Sequence, residues 1–104
     1  MQRAGKEYVK NGITLAPSHR QAHKKVKVTY RGLLAQSGAT EVYAHVGFGS
    51  TWRHIHDYKM IKTANGFEAT VAAAQGDTMN MAFKDCAGNW DNNAGENYSF
   101  EVWR

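Results

Sequence analysis

The sequence has little of several residues that stabilise small domains. Its 104 residues include one cysteine, one proline, three leucines and three isoleucines. The lone Cys86 excludes an internal disulfide and a cysteine-based zinc site. No apolar run approaches the roughly 20 residues that a membrane helix needs. The first residues, MQRAGKEYVKNG, also lack the apolar stretch of a secretory signal, so we expect neither a membrane span nor a leader.

Aromatic side chains compensate in part for the small number of leucines and isoleucines. The chain holds five Tyr, four Phe and three Trp, and its net charge is only +4. Disordered chains are poor in aromatic residues and carry a high net charge. We therefore predict a folded protein, and its length fits one domain.

The positive charge is confined to the first third of the chain. Residues 1–31 carry eight Lys or Arg against Glu7 alone, whereas residues 32–104 carry five basic and eight acidic residues. This distribution weakens the simplest interpretation of a basic protein, which is nucleic-acid binding. That function stays open as an alternative, with Tyr30 or Trp52 stacking on a base and a basic stripe formed by Arg20, Lys24, Lys25, Lys27 and Arg31. The alternative for the same lysines is a solvated strand edge, on which lysine prevents pairing with other chains.

Alternation of apolar and polar residues predicts an all-β fold. The predicted strands cover residues 13–15, 26–30, 42–46, 58–63, 67–71, 79–84 and 98–102. Ala64-Asn65-Gly66 is typical of a hairpin turn. Residues 69–75 contain three consecutive alanines and fit a helix or a strand. Short strands separated by turn-rich loops, here 32–40, 47–51 and 85–97, predict an antiparallel β-sandwich.

Two tryptophans lie in polar loops. Trp90 is surrounded by Asn89, Asp91, Asn92 and Asn93, so it has few apolar sequence neighbours. It either folds back to plug the sandwich or presents an exposed ring. Trp52 follows a predicted strand in a similar setting. An indole ring suits the C–H face of a glucose unit, and asparagine and histidine side chains can donate to and accept from hydroxyls. The pattern therefore favours a sugar-binding surface.

Four segments carry a family resemblance. Residues 41–47 (EVYAHVG), Trp52, residues 79–85 (MNMAFKD) and residues 88–93 (GNWDNN) together resemble the starch-binding carbohydrate-binding modules of family 25, to which modules of plant starch synthases are related. The resemblance covers residues 12–104 and leaves residues 1–11 as a basic extension that can fray. It implies an immunoglobulin-like antiparallel β-sandwich without catalytic activity.

The resemblance also implies a ligand and a site. Such modules bind α-1,4-glucans, meaning starch, glycogen or maltooligosaccharides, and hold an attached enzyme on its polysaccharide. By motif position, the aromatic platform here is His45, Trp52 and Trp90, and Asn92 and Asn93 are the polar residues that follow it. We expect a monomer that needs no cofactor, and that is either a module attached to an amylase-type catalytic domain or a small stand-alone binder. The compartment follows the parent protein: extracellular for a secreted amylase, cytoplasmic for a stand-alone binder.

Two other groups of residues suggest metal sites, but the sequence supports these less well than sugar binding. His54 and His56 share one face of a strand and with His45 suggest zinc, but no cysteine or carboxylate completes a usual spacing. Oxygens of Asp85, Asp91 and Asn93 suggest a structural calcium ion, although the loop does not match an EF-hand.

Two further alternatives concern catalysis and protein binding. Asp85 and Asp91 can approach the spacing of glycosidase carboxylates, but a sandwich of about 100 residues offers no deep cleft. We therefore predict no catalytic residue. Exposed tryptophans can also anchor a protein partner. We expect Cys86 to be an inert thiol that is at least half-buried.

Overall fold

The computed structural model describes residues 11–16, 24–73 and 78–102. Within these ranges the chain forms nine strands and one helical turn. In chain order they are β1 (Ile13–Ala16), β2 (Lys24–Tyr30), α1 (Leu33–Gln36), β3 (Val42–Phe48), β4 (Arg53–Lys59), β5 (Ile61–Thr63), β6 (Gly66–Ala73), β7 (Met79–Asp85), β8 (Trp90–Asp91) and β9 (Tyr98–Phe100). Among the described residues, no helix is long and apolar enough to cross a membrane.

The strands form two antiparallel sheets. One has the order β1-β2-β6-β5. In the other, β4, β3 and β7 are neighbours, and β8 and β9 both pair with the remaining edge of β7. The predicted all-β sandwich is confirmed.

The inner faces of the two sheets form one core. Along β2 and β3 alternate residues are buried, as the sequence pattern predicts. On β7 the alternate residues Met79, Met81 and Phe83 are fully buried, and Asn80 and Ala82 between them are buried as well. The core has few Leu and Ile and is filled by Val, Met, Phe and Tyr instead. Across the sandwich, Tyr30 stacks on Phe83 with ring centroids 4.2 Å apart and an interplanar angle of 17°. Buried aromatic area of this kind replaces the missing aliphatic side chains.

The chain changes sheets within a segment that the sequence pattern predicts as a single strand. The predicted strand 58–63 is wrong because β4 ends at Lys59 in one sheet and β5 begins at Ile61 in the other. Between them, Met60 is 3% exposed and its N–H donates to the Val42 carbonyl at 2.9 Å. This buried residue anchors the crossover.

Three other local predictions need correction or completion. The predicted loop 32–40 contains α1, which buries Leu34. The alanine-rich segment 69–75 is strand as far as Ala73, and its last two residues lie outside the described ranges. The prediction that Cys86 is at least half-buried is wrong, because the turn after β7 leaves its side chain exposed.

The basic stripe and its proposed stacking residues do not share a surface. Lys24, Lys25 and Lys27 lie on β2, in the sheet that does not carry Trp52, and Lys27 pairs with Glu68 at 3.6 Å. Tyr30 is fully buried, so the alternative in which it stacks on a base is wrong. Arg20 and residues 1–10 of the predicted extension lie outside the described ranges.

Candidate functional site

The outer face of the five-stranded sheet brings three predicted aromatic residues together. His45 lies on β3, Trp52 in the β3–β4 loop and Trp90 at the start of β8. The His45 ring is nearly parallel to Trp52, with centroids 5.5 Å apart and an angle of 28°. It is perpendicular to Trp90, at 5.4 Å and 89°. The two indoles therefore meet at an angle across the histidine.

These rings surround an open cavity of about 340 Å³. Its volume is within the range of small-ligand sites. The lining residues are His45, Trp52, Ile55, Ala82, Trp90, Asn92 and Asn97. Sequence reasoning missed Ile55, Ala82 and Asn97. Ile55 is 55% exposed on β4. In the sequence, the one signal for it was an isoleucine placed between two histidines, shortly after Trp52.

A glycine on β3 determines where Trp52 lies. A Cβ atom on Gly47 would clash with Trp52 Cε3, so the indole lies directly against the bare backbone at this position. Trp52 itself has a left-handed backbone with φ of 53°, and its N–H donates to the Gly49 carbonyl at 3.2 Å. The β3–β4 register also shifts between Val46 and Phe48. Such irregularities redirect side chains next to binding sites.

A polar chain of contacts holds His45 in place. His45 Nδ1 is hydrogen-bonded to Asp57 Oδ1, and Asp57 Oδ2 accepts from Lys84 Nζ at 2.7 Å. Partial burial works to raise the pKa of Asp57, but the hydrogen bonds from Lys84 and His45 outweigh it, and the pKa lies below its ordinary value. An ionised carboxylate only accepts, so Nδ1 carries the proton. In the neutral ring Nε2 is then the acceptor.

The same series of polar contacts extends to Trp90. Lys84 Nζ lies 5.3 Å from the centroid of the Trp90 ring, a cation–π distance. Lys84 is also the direct β7 partner of Trp90 on β8. Through Lys84 and Asp57, the orientation of His45 is therefore linked to that of Trp90.

Strand alternation separates Trp90 from Asp91. On β8, Trp90 faces outward and is 46% exposed, while Asp91 faces inward and is 6% exposed. Asp91 accepts hydrogen bonds from the hydroxyls of Tyr30 at 2.5 Å and Tyr98 at 2.7 Å. Burial, reinforced by the bond to Asp91, raises the pKa of Tyr30 well above its ordinary value. Asp91 is therefore a buried anchor beneath the exposed tryptophan.

The two predicted asparagines have different surroundings. Asn92 is exposed and lines the cavity, and its Oδ1 accepts from the Gly95 N–H at 3.0 Å. Asn93 is half-buried and has a left-handed backbone. Its Nδ2 donates to the Asn97 carbonyl at 3.1 Å. Asn93 thus closes the loop and does not line the cavity.

The carboxylates weighed for calcium or catalysis have separate structural partners. Asp85 accepts from the N–H groups of Ala87 at 3.0 Å and Asn89 at 2.8 Å, and from Asn89 Nδ2 at 3.0 Å. The Asn89 bonds lower the pKa of Asp85. Asp91 is hydrogen-bonded to two buried tyrosines. Asp85 and Asp91 therefore do not form an open acid–base pair.

The histidine cluster considered for zinc is also divided. Asp57 is opposite His45 on the outer face, whereas His56 is opposite Val46, a residue of the inner face. His56 packs on Tyr58, with ring centroids 4.4 Å apart. Among the residues that the structure describes, no group of three His, Cys, Asp or Glu could hold a metal ion.

Comparisons with known proteins identify the type of module. Residues 26–102 match the model of the starch/carbohydrate-binding module of family 53. A protein named alpha-amylase from Clostridium acetobutylicum is 39% identical over 90 residues, which are 85% of this chain and 11% of that protein. The chain thus spans about a tenth of that relative's length. No solved structure matches at a significant level.

The comparisons support the expected starch-binding class but not family 25 specifically. A match of this class denotes a binding module and not a catalytic domain. Since the matched segment contains His45, Trp52 and Trp90 and most of the sandwich, it spans the site just described. The chain therefore belongs to the family 53 starch/carbohydrate-binding modules.

Proposed function

We propose that this module binds α-1,4-glucans, as in starch, glycogen and maltooligosaccharides, through His45, Trp52 and Trp90. The observation that carries the proposal is the angled arrangement of the three rings on one outer sheet face. The family description supports the ligand class. The resemblance to family 25 supports the roles of these three residues, which we carry over as part of the proposal.

The geometry suits a curved sugar chain. An α-1,4-glucan turns from one glucose unit to the next, so two adjacent units present their C–H faces in different directions. Two indoles at an angle can each stack on one of these faces, which coplanar rings could not do. His45 Nε2 then accepts a bond from a sugar hydroxyl, and the amides of Asn92 and Asn97 donate and accept at the rim.

The expected affinity is modest. Stacking of a nucleic-acid base on an aromatic side chain contributes about 1–3 kcal/mol, and we take a similar or smaller value for each sugar. Hydrogen bonds at an exposed site add about 1 kcal/mol each. The total corresponds to dissociation constants from roughly millimolar to micromolar. Asn93 contributes indirectly, by holding the loop that carries Asn92.

We also propose a tethering role. The relative named alpha-amylase is much longer than the matched segment, which supports attachment of this module to an amylase-type catalytic domain. The module would then keep that domain close to its polymeric substrate. We propose that the module acts as a monomer, since one chain supplies every residue of the aromatic platform.

The direct test is depletion by insoluble starch. We expect granular starch to remove the protein from the supernatant and maltoheptaose to release it, whereas cellulose leaves it in solution. Raising the salt concentration should leave binding nearly unchanged, because stacking involves no counterion release, in contrast to nucleic-acid binding. Protein that stays in the supernatant with starch would refute the proposal. Steep loss of binding with salt would favour the nucleic-acid alternative.

A substitution at Gly47 tests the platform without removing any side chain that is proposed to contact the ligand. The variant Gly47→Ala adds a methyl group that clashes with Trp52 Cε3, so the indole must leave its present position beside His45. We expect affinity for maltoheptaose, measured by isothermal titration, to fall about fivefold or more, the loss of roughly one stacking contact.

A double-mutant cycle is the control for Gly47. In a Trp52→Ala background, Gly47→Ala should have almost no further effect on affinity, because the displaced ring is already absent. If the two effects add in full, Gly47 acts independently of Trp52 and this explanation is wrong. Near-UV circular dichroism should report the changed tryptophan environment in the single variant.

A further inference from the structure

A second cavity lies beside the same tryptophan. It has a volume of about 590 Å³ and is lined on one side by Leu33 and Leu34 of α1 and by residues 37–40, and on the other by the end of β7 and the β7–β8 turn. Trp90 lines both this cavity and the one formed with His45 and Trp52. We call the second cavity the α1 groove. The two concave surfaces therefore meet at one exposed indole.

The lining of the α1 groove combines apolar and polar groups. Leu33, 59% exposed, and Ala87 supply apolar surface. Ser37 and Thr40 supply hydroxyls, and Asn89 supplies an amide. Asp85 is the one charged residue among the lining residues, and its charge is negative. Such a surface does not suit a phosphate or a nucleic acid, whereas a neutral sugar offers both C–H faces and hydroxyls to it.

The groove is fixed by hydrogen bonds that also support the aromatic platform. The Leu34 N–H donates to the Tyr30 hydroxyl at 3.0 Å, and that hydroxyl donates to Asp91, the residue after Trp90. On the opposite wall, Asp85 accepts from the N–H groups of Ala87 and Asn89. A groove preformed in this way loses little conformational entropy when a ligand enters it.

We propose that an α-glucan chain bound on His45, Trp52 and Trp90 continues past Trp90 into the α1 groove. This inference rests on the proposed function and extends it, because it makes the module selective for chains longer than the platform alone requires. A polymer must continue beyond the units that it stacks on the indoles. The α1 groove is contiguous with Trp90 and has the mixed lining that such a continuation needs.

Cys86 allows a test on the unmodified protein. It lines the α1 groove, its side chain is exposed, and it is the chain's one cysteine. Its rate of reaction with 5,5′-dithiobis(2-nitrobenzoic acid), which releases a coloured thiolate, can be measured under saturating maltotriose or maltoheptaose. We expect maltoheptaose to slow the reaction severalfold and maltotriose to leave it nearly unchanged. Equal rates with both saturating sugars would overturn the proposal.

A blocking variant tests the same groove by affinity. In Ala87→Arg a long side chain fills part of the α1 groove, and Ala64→Arg adds the same side chain to the exposed β5–β6 turn of the other sheet as a matched control. Ala87→Arg should weaken maltoheptaose binding about fivefold, equivalent to losing roughly one hydrogen bond. Its affinity for maltotriose should match that of the unmodified protein. Ala64→Arg should change neither affinity.

The outcomes separate this proposal from the function on which it rests. If neither sugar binds the unmodified protein, the proposed function itself fails. If both sugars bind, but Cys86 stays equally reactive or Ala87→Arg affects both sugars alike, the platform stands and the extension into the α1 groove is wrong. Protection of Cys86 by the longer sugar, together with selective weakening in Ala87→Arg, supports the extension.

Discussion

Trp90→Ala is expected to lower the affinity for maltoheptaose at least about tenfold while the module stays folded, and Trp52→Ala should have a similar effect. Each ring supplies one stacking surface of about 1–3 kcal/mol, and a loss of about 1.4 kcal/mol or more lowers the affinity tenfold or more. Trp90 is 46% exposed and Trp52 is half-buried, so neither ring is part of the buried core. Isothermal titration with maltoheptaose measures the loss.

Tyr43 provides the matched control for the tryptophan variants. It lies on β3 two residues before His45, so it belongs to the same outer face, but it does not line the cavity. Tyr43→Ala should leave maltoheptaose affinity nearly unchanged. Unchanged affinity in both tryptophan variants, or an equal loss in Tyr43→Ala, would contradict the platform. Thermal unfolding of all three variants shows whether a loss of binding reflects a loss of folding.

Asp91→Ala is expected to cause a large loss of stability. The carboxylate is 6% exposed and accepts hydrogen bonds from the hydroxyls of Tyr30 and Tyr98. Removing it takes the acceptor away from two buried hydroxyls, and each such loss costs about 1–3 kcal/mol. We therefore expect the free energy of unfolding to fall by about 3 kcal/mol or more, with a decrease in Tm of more than about 10 °C.

Urea denaturation measures the loss of stability in Asp91→Ala, and two further variants serve as comparisons. Asp91→Asn keeps one acceptor oxygen and should lose less stability than Asp91→Ala. Asp85→Ala removes a carboxylate from the end of β7 and should cost much less than Asp91→Ala, because the N–H groups it releases in the exposed β7–β8 turn can bind water. If Asp91→Ala stays within about 0.5 kcal/mol of the unmodified protein, the typical effect of surface substitutions, the anchoring role is wrong.

Much of the sandwich could be predicted from local sequence patterns. Strands β2, β3 and β7 each pack one face on the core, so burial imposes a period of two on their sequences. Strand β4 carries almost no such signal, because nearly all of its residues are exposed. Strand β8 has two residues, too few for any pattern, yet it directs Trp90 outward and Asp91 inward.

Part of the candidate site could be predicted because tryptophan in a polar segment is unusual. His45, Trp52 and Trp90 are brought together as the family resemblance implies, and this grouping is what the proposed function uses. The supports behind them could not be predicted. Asp57 and Lys84 are ordinary charged residues in sequence, and they gain a role only because β4 and β7 lie on either side of β3.

By itself, the sequence determined an all-β chain with a core short of aliphatic residues and with aromatic residues placed in polar loops. These properties are local, because they depend on residue types and on a period of two. The tertiary structure decided which aromatics became core and which lie outside it: Tyr30 is fully buried, whereas Trp90 is exposed. It also decided the angle between the indoles, which depends on Gly47, Lys84 and Asp91. These residues meet the rings only through strand pairing and packing between distant segments, and no local pattern encodes such contacts.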